Sequence, residues 1–148
     1  MAKRHAPSLM RQIRRELKKG SSPESIFLKV KAIEDPYYRS LSFFLLIPYF
    51  SPKDKRCKES ISLSNKDIEK VQQPWRRVEL IGSISKILKS FSDIRLQRQL
   101  FSLILEKIRI EKSKEIKDFL LKYTKNFPES YLSHLLNLSK NSKGNEFE

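Results

Sequence analysis

The stretch Ile33-Glu34-Asp35-Pro36-Tyr37-Tyr38-Arg39-Ser40-Leu41-Ser42-Phe43-Phe44-Leu45-Leu46-Ile47-Pro48 decides the fold class. Asp35 is a residue type whose carboxylate accepts the free N–H groups of a helix start, and Pro36 suits the first turn, where no donor is needed. From Leu41 to Ile47 the positions are almost all apolar, without the alternation of a half-exposed strand. A helix that is apolar nearly all round belongs at the centre of a core. Pro48 ends or kinks it, because the proline ring collides with the preceding turn.

The same punctuation recurs on both sides. Upstream, Ser22 and Pro23 open a helix whose inward face is Ile26, Phe27, Val30 and Ile33, with Ser21 and Glu24 at capping-box spacing. The turn from Ile33 to Pro36 is short, which predicts an antiparallel hairpin. Before it, Leu9, Ile13 and Leu17 recur every four residues between Ser8 and Lys19, and Gly20 supplies a left-handed stop. Downstream, Ser51 to Ser64 is polar, basic and weakly periodic, which predicts a loop or a short frayed helix. Ser64 with Asp67 then caps a short helix from Asn65 to about Gln73.

Pro74 begins a longer helix to about Phe91, with Val78, Ile81, Ile84 and Leu88 inward. Ser92 or Asp93 precedes a helix carrying Leu96, Leu100, Leu103, Ile104 and Ile108. Ser113 caps another with Ile116, Phe119, Leu120 and Tyr123, and Pro128 opens the last with Tyr131, Leu132, Leu135 and Leu136. Glycine occurs only at 20, 82 and 144, and Asn-Gly or Asp-Gly hairpin signals are missing. The expectation is an all-α chain of about seven to eight short antiparallel helices, forming stacked αα-hairpins or a compact orthogonal bundle. A single helical domain over 1–139 is expected, with a basic N-terminal segment (1–20) and a flexible tail over 140–148.

Pro36-Tyr37-Tyr38-Arg39 and Pro74-Trp75-Arg76-Arg77 both set proline, an aromatic residue and arginine at a helix start. Through Ile33 to Arg39 and this echo, the chain loosely resembles HEAT-like helical-hairpin repeat proteins. The resemblance implies a scaffold that offers a curved helical surface to a protein or nucleic acid, and it names no ligand. The spacing departs from a fixed repeat period, since residues 51 to 64 interrupt it.

Charge points to the partner. The chain has 148 residues, with 31 Lys and Arg against 17 Asp and Glu, a formal net charge of +14. So one-sided a balance repels itself unless something anionic is near. Residues 1 to 58 hold 14 basic and 5 acidic residues, against 17 and 12 in the remainder, so the excess lies toward the N-terminus. Candidate phosphate contacts fall in three groups. The first is Lys3, Arg4, Arg11, Arg14, Arg15, Lys18 and Lys19; the second is Lys53, Lys55, Arg56 and Lys58; the third is Arg76 and Arg77. Tyr37, Tyr38 and Trp75 are expected to pack in the core, with stacking on unpaired bases as the alternative.

Catalytic chemistry is sparse. His5 and His134 are the only histidines and are far apart in sequence, and no metal-ligand spacing, phosphate-cradling glycine loop or Gly-x-Ser-x-Gly elbow occurs. No cofactor, metal site or catalytic activity is expected. The lone Cys57 excludes an internal disulfide, fits a reducing compartment, and reads as an incidental exposed thiol. The longest apolar run, Phe43 to Ile47, is far short of the ~20 residues that span a bilayer. The start, Met-Ala-Lys-Arg-His, lacks the apolar stretch of a secretory signal, so a cytoplasmic location is expected. The expected function is binding of RNA, in a ribosome-associated setting, in preference to DNA. The alternative is a helical scaffold or adaptor subunit with a protein partner or a second copy of itself.

Overall fold

The computed structural model describes residues 6–122. Among these the chain is all-helical, with the order α1 (Ala6–Lys18), α2 (Pro23–Lys31), α3 (Pro36–Leu46), a 3₁₀ turn (Ile47–Tyr49), α4 (Lys55–Lys70), α5 (Pro74–Lys89), α6 (Ile94–Arg109) and α7 (Lys114–Leu121). The chain divides into two compact units, Met1–Leu80 and Ile81–Glu148. The helix expected from Pro128, the tail over 140–148, Tyr123, His134, Lys3, Arg4 and His5 lie outside the described residues.

Helix starts and stops obey local chemistry. Gly20 ends α1 with φ +84°; its N–H donates to the Leu17 carbonyl at 3.2 Å and the Ser21 N–H to the Glu16 carbonyl at 3.0 Å. These are the paired bonds that satisfy a helix C-terminus when one residue turns left-handed. The Asp35 side chain accepts from the Tyr37 N–H ahead of α3, Asp93 from the Leu96 N–H ahead of α6, and Ser113 from the Ile116 N–H ahead of α7. The capping box expected of Ser21 and Glu24 does not form. Ser22 holds the N-cap position without a side-chain cap, and its hydroxyl donates to the Glu24 carboxylate at 2.6 Å.

In the first unit α3 is central, packing against α1, α2 and α4. Phe43, Phe44, Leu46 and Ile47 are buried, as its sequence demands, and Phe27 meets both Phe43 and Phe50 with ring centroids 6.1 Å apart. Ile13 and Leu17 of α1 and Ile26, Val30 and Ile33 in and after α2 complete this core.

Three sequence expectations fail on α4. Residues 55–70 form one unbroken helix, not a loop followed by a short helix. Its cap is Asp54, which accepts from the Arg56 N–H at 2.8 Å, whereas Ser64 and Asp67 sit buried in its interior. Cys57 is 1% exposed, not a surface thiol. One cause explains all three. The inward face of α4 is Cys57, Ser60, Ser64 and Asp67, spaced three to four residues apart, with Ile68 the one aliphatic residue buried beside them, and a face of mostly small polar residues leaves no apolar period to read. They allow close approach to the bulky α3, where the Ser40 hydroxyl donates to the Ser64 carbonyl at 3.2 Å.

In the second unit Ile81, Ile84 and Leu88 of α5, Leu100, Phe101, Ile104 and Ile108 of α6, and Ile116 and Leu120 of α7 are buried. Gln97 Nε2 donates to the Leu88 carbonyl at 2.8 Å, satisfying the end of α5.

Candidate nucleic-acid interface

In the first unit α3 runs antiparallel to α2 and α4, so the unit has two ends. The end where α3 begins gathers the close of α2, the close of α4 and the first turn of α5. The other end gathers the close of α1, the start of α2, the 3₁₀ turn and the start of α4. Arg56 at the start of α4 pairs with Glu24 at the start of α2 at 2.7 Å, Phe50 after the 3₁₀ turn packs on Phe27 of α2, and the short turn at Gly20 leads the close of α1 into the start of α2.

At the α3-start end the arginines are engaged. Arg39 grips Asp67 through two bonds, Nε to Oδ2 at 2.9 Å and Nη2 to Oδ1 at 2.7 Å, while its Nη1 donates to the Ile33 carbonyl at 2.9 Å. Asp67 is 3% exposed. Its hydrogen bonds hold the Arg39 guanidinium above the ordinary arginine value, against the opposing effect of burial. Arg77 Nη1 donates to the Val71 carbonyl at 2.9 Å and to that of Gln72 at 3.1 Å. Arg76 lies over the Tyr37 ring at 4.3 Å and the Tyr38 ring at 5.8 Å, with Asp35 at 3.5 Å.

The sequence echo thus has a physical counterpart. Arg39 and Arg77, each three residues after its proline, both return to the carbonyl six residues earlier and close the preceding helix end. Tyr37 is buried against Tyr38 and Arg76, in line with the packing role, whereas Trp75 is 48% exposed. A depression of about 200 Å³ opens beside the Arg39–Asp67 pair, lined also by Lys31, Lys66 and Lys70. These lysines were not among the sequence candidates, because they come from two helices that only the fold brings together.

Helix α1 presents the opposite case. Arg11, Arg14, Arg15, Lys18 and Lys19 are all exposed. At about 100° per residue they fall within an arc of about 140°. Ile13 and Leu17, buried on the far side, hold the helix down. The single acid of α1, Glu16, turns away from this arc and pairs with Lys29 of α2 at 2.6 Å. Arg11 donates to the Ser8 hydroxyl at 3.2 Å. Arg14, Arg15, Lys18 and Lys19 have no carboxylate partner among the described residues.

The second group lies at the same end as Lys18 and Lys19. Lys53, Lys55 and Lys58 are exposed and have no carboxylate partner among the described residues. Arg56 is held by Glu24, whose carboxyl lies below the ordinary glutamate value, chiefly through the Ser22 hydroxyl and its own backbone N–H, with Arg56 adding to both. Arg76 and Arg77 belong to the other end: α4 alone, 16 residues long, sets them roughly 24 Å from Lys55 at ~1.5 Å per residue. Lys18 and Lys19 of the first group therefore flank the start of α2 together with the second group, and the third group does not.

Among the described residues, no three His, Cys, Asp or Glu side chains gather where a metal ion would be held, and no helix is long and apolar enough to cross a membrane. Comparison of the chain with protein-family models, with curated proteins and with solved structures returns no match.

Proposed function

We propose that this protein is a non-catalytic RNA-binding protein that grips the phosphate backbone through α1 and the start of α4. The observation that carries the reading is the outer arc of α1. Five cationic side chains are exposed there, none of them with a carboxylate partner among the described residues, while the one acid on the helix pairs elsewhere. Lining up unpaired like charges opposes folding, and a polyanion relieves that repulsion while releasing its condensed counterions. Arginine predominates in the N-terminal part of the arc, and its planar fork meets phosphate oxygens in pairs. RNA is preferred to duplex DNA because the sequence carries none of the common major-groove modules. A ribosome-associated setting fits the same charge and shape requirements.

The test is a triple reversal, Arg11→Glu, Arg14→Glu and Arg15→Glu, assayed by gel shift on RNA. All three side chains are exposed, so the helical circular dichroism is expected to stay the same while binding falls by at least ~100-fold at low salt. Unchanged binding with an unchanged fold would reject the reading.

A further inference from the structure

We propose that Tyr49 is a stacking site for an unpaired base, so that the RNA bound at this end of the first unit is single-stranded there. This rests on the RNA-binding reading and names the form of its substrate.

Tyr49 closes the 3₁₀ turn after α3. It is 50% exposed, in contrast to its neighbours Ile47 at 0% and Phe50 at 5%. Those two anchor the turn in the core, and Phe50 packs edge-on against Phe27. The Tyr49 ring is therefore held out on a rigid mount, not on a floppy loop. Unlike Tyr37 and Tyr38, which face each other and Arg76, it has no ring, cation or hydrogen-bond partner among the described residues. Pro48 beside it is also exposed.

The cations near Tyr49 give the ring its ligand. Lys53, Lys55 and Lys58 come within the next nine residues, are exposed, and have no carboxylate partner among the described residues; Lys18 and Lys19 close α1 at this same end. A flat π-face beside unpaired cations is the combination that binds single strands: phosphates track the charges while a base covers the ring. A duplex keeps its bases stacked on one another and offers the ring nothing. The phosphate-only contacts of α1 accept either form, so strand preference is assigned to Tyr49.

The experiment compares a 12-nucleotide oligouridine with an RNA duplex of equal length, using the full chain and its Tyr49→Ala and Tyr49→Phe variants. Tyr49→Ala is expected to weaken oligouridine binding about tenfold and to leave duplex binding within about twofold. Tyr49→Phe keeps the π-face and is expected to bind like the parent. Since the side chain is half-exposed, circular dichroism should not change. If Tyr49→Ala binds oligouridine as tightly as the parent, or weakens both ligands equally, the stacking site is overturned while the RNA-binding reading stands. If the parent binds neither ligand, the RNA-binding reading itself fails.

Discussion

The two ends of the first unit carry cationic side chains to opposite effect. Where α3 begins, Arg39, Arg76 and Arg77 are tied to a carboxylate, to aromatic rings and to helix-closing carbonyls, so their charge is used inside the protein. Where α1 closes and α4 begins, Lys18, Lys19, Lys53, Lys55 and Lys58 face solvent without carboxylate partners among the described residues. Sequence position does not separate the two classes, since Arg76-Arg77 is as basic a pair as Lys18-Lys19. What separates them is whether the fold brings an acceptor within reach. The arginines at the first end hold the hairpins together; the lysines at the second remain available to an outside anion.

If this division is right, substitutions at the two ends should move different observables. The largest stability loss is expected for Asp67→Ala, which strands the part-buried Arg39 guanidinium and should cost about 3 kcal/mol in urea unfolding. RNA affinity of the protein that remains folded should be unaffected. Arg77→Ala removes the donor to two carbonyls and is expected to cost roughly 1.5 kcal/mol, again by unfolding and again without loss of RNA binding. Gly20→Ala forces a Cβ into the left-handed region; no neighbour is within 4 Å, so the loss comes from backbone strain alone, about 1 kcal/mol, seen as a lowered Tm. The smallest stability change belongs to the other end. Lys53→Ala with Lys55→Ala should stay within ~0.5 kcal/mol of the parent while weakening RNA binding severalfold. A stability loss there, or an RNA defect in Arg77→Ala, would break the division.

Much of the fold was legible because its boundaries use side chains with unambiguous local physics. Asp35-Pro36, Pro74, Asp93, Ser113 and Gly20 each mark a helix end that the structure bears out. The apolar α3 announced its central place in the same way. Helix α4 was not legible, because Cys57, Ser60, Ser64 and Asp67 are buried by close backbone approach and Asp67 is neutralised by an arginine 28 residues earlier. An apolar period cannot report either effect.

The candidate interface was legible in part for a related reason. Exposure of the α1 arc is set by the helical period, which places Ile13 and Leu17 opposite the arginines. Engagement of Arg76 and Arg77 depends on acceptors supplied by the preceding turn and by α3, and no count of basic residues contains that information. Tyr49 is not distinguishable in the sequence, because Ile47 and Phe50 around it are as apolar as the core helix before them. Only the fold separates the ring that is held out from those that are packed in.

The most direct test of the central claim is the salt dependence of binding to single-stranded RNA. If about five phosphates are neutralised, log affinity should fall against log salt with a slope of about −3.5, and the triple reversal of Arg11, Arg14 and Arg15 should flatten it by about 2. A parent slope near zero, or a slope that the reversal leaves unchanged, would contradict the account.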